Sequence, residues 1–143
     1  ELIEKPLWTI TGKCAKDTLI PDLVSICKVN DQHQFIIFDA KYYNAHLEKG
    51  IVPTGQPGIE SITKQYLYQL AYQQFIEDHN FSSVKNCFLL PTENNEIEDK
   101  GEVRMEMLSN LGLQDIKIRL IPATMAYDLY LSGSKMDMER LDL

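Results

Sequence analysis

Long apolar runs are missing from this sequence, and their absence bounds what the chain can be. No stretch approaches the roughly 18–20 apolar residues that a membrane-spanning helix needs, so the reading excludes a membrane role. No secretory signal is visible either, because Glu1, Glu4 and Lys5 precede only a short mixed segment. Cysteine is scarce: Cys14, Cys27 and Cys87 are widely spaced and form no Cys-x-x-Cys pair. Free thiols in a reducing cytoplasm are the expectation, with Cys27 and Cys87 in or beside apolar runs. His33, His46 and His79 lie too far apart for a zinc-ligand spacing and read as solvated loop residues. Neither an internal repeat nor a low-complexity tract interrupts the chain.

Positive charge is also in short supply. The 14 basic and 21 acidic residues give a net charge of −7. The balance is −2 over residues 1–90 and −5 over residues 91–143. A chain that grips nucleic acid alone normally carries a basic face, since neutralised phosphates supply most of its affinity. Composition therefore speaks against an unaided DNA binder.

What remains is ordinary for one globular domain. The 143 residues are 44% hydrophobic and 24% charged, enough for one core. The sequence opens on Glu1 without a methionine, and the expectation is a single domain, 1–143, cut from the C-terminal catalytic part of a longer chain.

Strand patterns occupy Leu7–Thr11, Ile20–Ile26 and Gln34–Tyr43, with a polar turn at Asn30–Gln34 joining the last two as a hairpin. Phe35-Ile36-Ile37-Phe38 is apolar without alternation, the mark of a central strand covered on both faces. Residues 44–58 hold three glycines and two prolines and read as a long functional loop. Helical spacing then runs from Glu60 or Ser61 to about Glu77, through Ile62, Tyr66, Leu67, Leu70 and Phe75. Val84–Leu90 reads as a buried strand stopped by Pro91, and Thr92–Gly101 as an acidic surface loop. Val103, Met105 and Met107 alternate with charged residues, which predicts a half-exposed strand. Ile116–Leu120 gives one more strand ending at Pro122, and Ala123–Leu131 a helix. The fold class is α/β, a mixed central sheet flanked by helices.

Chemistry concentrates in Ile20–Tyr43. Sixteen residues separate Asp22 from Asp39, and a hairpin of that length can bring the two carboxylates together at one end of the sheet. Two carboxylates in one cleft repel, so a proton or a cation must sit between them. Oxygen ligands with open positions suit Mg²⁺, with Mn²⁺ as an alternative, and a bound metal lowers the pKa of its water and stabilises phosphoryl charge. Strand periodicity places Lys41 on the face of Asp39, where it can orient such a water. Pro-Asp is by itself a common turn dipeptide, and Asp-x-Lys on a strand is commonly a solvated face. Asp39, however, follows four consecutive apolar residues, and a buried charge without a partner costs free energy.

Pro21-Asp22, the sixteen-residue gap and Asp39-Ala40-Lys41 resemble the PD-(D/E)XK nuclease signature. Phe38-Asp39-Ala40-Lys41-Tyr42-Tyr43 is similar to the corresponding strand of McrC-like and LlaJI-type restriction endonucleases. Tyr68-Gln69-Leu70-Ala71-Tyr72 resembles the Gln-x-x-Tyr helix of the McrC- and RecB-like branch, and Asn86–Pro91 the strand that follows it. The resemblance spans residues 20–91, with a weaker echo from Ile116 to Leu131. It implies that Asp22, Asp39 and the Ala40 carbonyl hold Mg²⁺, that Lys41 positions the water, and that Gln69 and Tyr72 line the site beside the scissile phosphate. Tyr66, by contrast, reads as packing. The upstream helical glutamate of such sites is unmatched, Glu1 and Glu4 being the only acidic residues early enough.

The implied function is an Mg²⁺-dependent endonuclease acting on double-stranded DNA in a restriction system. The acidic composition then assigns much of the DNA grip to a further recognition domain or to a nucleotide-hydrolysing partner subunit, and a homodimer is a further arrangement. The loop 44–58 would border the DNA cleft. The alternatives are a RecB-like exonuclease or repair nuclease, and a nuclease-fold module that only binds DNA or a partner.

Overall fold

A computed structural model of the chain describes residues 2–143; Glu1, one of the two upstream glutamate candidates, lies outside the described residues. The order of elements is β1 (Leu7–Trp8), β2 (Lys13–Cys14), β3 (Leu23–Val29), β4 (Gln32–Ala40), α1 (Ile59–Ala71), α2 (Gln73–Asp78), β5 (Ser83–Thr92), β6 (Glu98–Val103), α3 (Glu106–Ser109), β7 (Ile116–Pro122) and α4 (Ala123–Ser132), then a 3₁₀ turn at Met138–Leu141. β1 and β2 form a separate two-residue ribbon. The main sheet has five strands in the order β3-β4-β5-β7-β6. Its three middle strands run parallel, and the edge strands β3 and β6 are antiparallel to their neighbours. The expected mixed sheet with flanking helices is therefore present.

The β3–β4 hairpin turns on Asn30 and Asp31, both left-handed (φ 49° and 64°). Asn and Asp tolerate that conformation, and two such residues match the twist of the flanking strands. β4 explains the unbroken apolar run: Phe35 to Phe38 are each at most 1% exposed. Phe35 and Ile37 pack with Tyr68, Tyr72, Phe75 and Phe81 on the α1 face. Ile36 and Phe38 meet Cys87 and Leu141 on the other. Each buried side chain is worth about 1.5–3 kcal/mol against exposure.

The single helix expected over 60–77 is divided at Tyr72, where the backbone takes φ −92°, ψ 1°. The bend brings the rings of Tyr72 and Phe75 onto Phe35, with centroids 5.3 and 5.8 Å apart. The buried stripe of α1 also departs from the apolar spacing. Gln65, Tyr66, Tyr68 and Gln69 are buried, while Leu67 and Leu70 are 40% and 49% exposed. Tyr66 packs in the core with Phe88, Leu90 and Ile116, as expected.

Two expectations beyond β5 need correction. The strand assigned to Val103–Met107 lies earlier, at Glu98–Val103, and begins within the expected acidic loop Thr92–Gly101. Its partner β7 presents cations: Arg119 pairs with Asp99 at 2.6 Å and Lys117 with Glu102 at 2.7 Å. Cross-strand charge, not apolar alternation, fixes that edge. After Val103 the chain turns into α3, with the Met105 N–H donating to the Tyr66 hydroxyl. Pro91 does not stop β5 but lies within it, opposite Ile121. Having no N–H to donate, Pro91 sits where the pairing of β5 with β4 stops.

Arg119, 2% exposed, lies level with Ala40 across the sheet. Its guanidinium donates to the Leu141 and Asp142 carbonyls, each at 2.6 Å, and so ties the C-terminal turn down. Among the described residues no helix is long and apolar enough to cross a membrane.

Candidate active site

Register brings the two aspartates together. Leu23 pairs with Phe38 in the β3–β4 ladder, so the next position places Asp22 opposite Asp39. Asp22, exposed at the mouth of the hairpin, accepts a hydrogen bond from the Ala40 N–H at 2.9 Å through Oδ2. In an antiparallel pair the N–H and C=O of one residue point to the same side, so the Ala40 carbonyl also leaves β4 toward Asp22. Lys41 donates its own N–H to the Leu89 carbonyl at 2.8 Å, which continues the β4–β5 pairing one residue past the strand.

Alternation along β4 places Asp39 on the α1 face with Phe35 and Ile37. The Asp39 residue is 5% exposed. Its Oδ2 lies 2.5 Å from the Lys41 ammonium. The contact is an ion pair, and Lys41 is the cation at that carboxylate. Burial this deep makes the lysine the counter-charge that Asp39 requires.

Helix α1 supplies the third wall. Gln65, fully buried, donates from Nε2 to the Ile37 carbonyl at 2.9 Å, two residues before Asp39. Its Oε1 is buried without a partner. Tyr68 donates its hydroxyl to the Ile20 carbonyl at 2.8 Å, two residues before Asp22. The Lys64 ammonium stands 5.7 Å from the centre of the Tyr68 ring. It is held above its ordinary pKa first by the Tyr68 hydroxyl, then also by the charges of Asp39 and Asp22.

The two helix residues implied by the resemblance sit one turn further along. Gln69 Oε1 accepts from Asn86 Nδ2 at 3.1 Å and from the Gln114 N–H at 2.8 Å. Tyr72 belongs to the aromatic cluster on Phe35, and burial pushes its phenol up. None of these partners is Asp22, Asp39 or Lys41. The structure thus brings Asp22, Asp39, Ala40 and Lys41 together, with Gln65, Tyr68 and Lys64 as the helix residues facing them. Gln65-Tyr66-Leu67-Tyr68 repeats the Gln-x-x-Tyr spacing four residues upstream, a signal present in the sequence but ambiguous in register.

As donors for a divalent cation, the residues present fit in chemical type: two carboxylates at facing positions, and the backbone carbonyl of the residue that follows Asp39. A third acidic side chain is not among them. No group of three or more His, Cys, Asp or Glu that could hold a metal occurs among the described residues. Glu4 is exposed, and its backbone carbonyl accepts from the Thr18 hydroxyl at 2.7 Å.

The loop 44–58 folds back on itself through a bridge between His46 and Thr54. Gly55 is required there: with φ +66°, a Cβ would fall 2.5 Å from the Asn44 carbonyl oxygen. With β5, β6 and β7 the loop encloses a cavity of about 750 Å³ lined by Leu47, Pro53, Pro57, Phe88 and Val103. That cavity shares the α1 face of the sheet with Asp39 but is not lined by the two aspartates or Lys41.

A five-stranded mixed sheet with helices on its faces is compatible with the restriction-endonuclease-like class of folds. The chain belongs to the LlaJI restriction endonuclease family, whose model matches residues 1–129. It is also similar to the type II restriction enzyme BsuMI component YdjA of Bacillus subtilis (strain 168), at 31% identity over 145 residues. That alignment takes in 97% of this chain but 30% of the relative, so the chain spans just under a third of the length of that curated protein. No solved structure matches the chain.

Proposed function

We propose that this chain is an Mg²⁺-dependent nuclease domain of the PD-(D/E)XK type, cutting phosphodiester bonds of double-stranded DNA within a restriction system. One observation carries the reading: Asp39 is buried at the end of β4, opposite Asp22 and in an ion pair with Lys41. Membership of the restriction endonuclease family supports the reaction class.

In this reading Asp22, Asp39 and the Ala40 carbonyl hold Mg²⁺, with Mn²⁺ as a substitute. The metal, when bound, lowers the pKa of a water and offsets charge building on the phosphoryl oxygens. Lys41 exchanges its ion pair with Asp39 for a hydrogen bond to the attacking water and fixes its direction. Tyr68 anchors the segment that carries Asp22, and Gln65 anchors β4 below Asp39.

The relative's printed description as a component of a restriction enzyme supports a partner subunit for this chain, and the net charge of −7 assigns DNA recognition to that subunit or to a further domain. A cytoplasmic location follows from that role. On the helix, a second reading places Gln65 and Tyr68 beside the scissile phosphate in place of Gln69 and Tyr72, because the former pair contacts the segments that carry the aspartates.

The test is cleavage of supercoiled plasmid by the full-length protein and its partners with and without Mg²⁺. Cleavage that disappears in EDTA, in Asp39→Asn and in Lys41→Ala supports the proposal. Equal cutting by both variants rejects the site, and degradation confined to linear DNA points to an exonuclease.

A further inference from the structure

The proposed site presents two carboxylates to a polyanion, and the chain as a whole carries −7. Duplex DNA brings roughly one negative charge per 1.7 Å of its axis, so approach requires cations besides Lys41. Lys100, Arg104, Lys117 and Arg119 are held in ion pairs on the β6 side of the sheet. Lys64 stands instead on α1, exposed, with no ion pair to a carboxylate among the described residues.

Its position is nevertheless defined. Lys64 and Tyr68 are four residues apart and so share one face of α1, and the ammonium stands 5.7 Å from the centre of the Tyr68 ring. That ring is 1% exposed, and its hydroxyl is tied to the Ile20 carbonyl, just ahead of Asp22. The ammonium therefore rests on a fixed support on the carboxylate side of the helix, near enough to feel the charges of Asp39 and Asp22.

We propose that Lys64 is a phosphate-binding residue of the nuclease site, donating to a non-bridging oxygen of the DNA backbone next to the scissile phosphate. This rests on the nuclease reading above. Lys64 contributes a point charge to binding and takes no part in moving the proton, so its removal acts on KM and not on kcat.

The test uses the full-length protein with its partners and a plasmid carrying a site it cuts. Lys64→Ala is expected to raise KM about tenfold with kcat within about twofold of the parent, and to lower the slope of log kcat/KM against log salt by about one. Lys64→Arg should restore both. Because Lys64 is exposed, an unchanged melting temperature verifies folding. A Lys64→Ala variant with parental KM and salt slope overturns the phosphate contact while leaving the nuclease reading intact. A fall in kcat at constant KM overturns it too. If the parent protein cuts no DNA under any Mg²⁺ condition, the nuclease reading fails and this inference fails with it.

Discussion

The side-chain amide of Gln65 donates to the backbone carbonyl of Ile37 at 2.9 Å. This bond fastens α1 to the central strand two residues ahead of Asp39. A carbonyl inside a parallel-bordered strand is ordinarily satisfied by the ladder, so a glutamine reaching it marks a fixed distance between helix and sheet. Tyr68 makes the equivalent tie to the strand entry before Asp22. One helical turn therefore holds both carboxylate-bearing segments.

That arrangement separates the two Gln-x-x-Tyr registers. Tyr68→Phe removes the bond to Ile20 and is expected to cost about 1 kcal/mol of stability, with cleavage falling further than the stability loss explains because Asp22 loses its anchor. Tyr72→Phe keeps the ring that packs on Phe35 and is expected to leave both within about twofold of the parent. Denaturation midpoints and single-turnover cleavage rates, measured side by side, check this. A larger cleavage defect in Tyr72→Phe would restore the downstream register.

Asp39 and Lys41 form a pair in which each single loss has a different consequence. Lys41→Ala leaves the Asp39 carboxylate, 5% exposed, without its cation, and is expected to lower stability by about 3 kcal/mol. Asp39→Asn removes the charge that demanded the cation, and should cost much less. The double variant should therefore be more stable than Lys41→Ala alone, a coupling that a double-mutant cycle reads directly by urea denaturation. Mg²⁺ should raise the melting temperature of the parent through preferential binding to the folded state and leave that of Asp39→Asn unchanged. Additive stabilities would sink the claim that Lys41 is the counter-charge.

Much of this was legible in the sequence because it rests on local pattern. The apolar run Phe35–Phe38 identified the central strand, and the aspartates at its end and before β3 could be paired from chain length alone. The misplaced edge strand shows where local pattern stops. Glu98 and Asp99 are acidic enough to read as a loop, and this edge becomes a strand because Lys117 and Arg119 face Glu102 and Asp99 across the sheet. Helix α1 fails the apolar-stripe rule for a related reason. Its buried face carries Gln65 and Gln69, whose amides bond to Ile37, Asn86 and Gln114, partners from distant parts of the chain. Register within Gln65–Tyr72 was undecidable from spacing, since the same motif occurs twice.

The last prediction concerns acid. Asp115 accepts from the Ser109 hydroxyl, from Arg104 Nε at 2.6 Å and from the Tyr66 hydroxyl at 3.3 Å. The Ser109 hydrogen bond above all, then Arg104, holds its carboxyl below the ordinary value near 3.8. A folded pKa below the unfolded one means that the stabilisation is fully present above about pH 4 and is lost as pH falls through the folded value. Asp115 also joins α3 to the core through Tyr66, whose hydroxyl accepts the Met105 N–H. Unfolding of the parent on acidification should therefore include a step below pH 4 that Asp115→Asn lacks. The variant should be less stable at neutral pH and draw level with the parent at the acid end. Urea midpoints between pH 2 and 7 measure the difference, and parallel curves for the two proteins would show that this carboxylate does not set the acid limb.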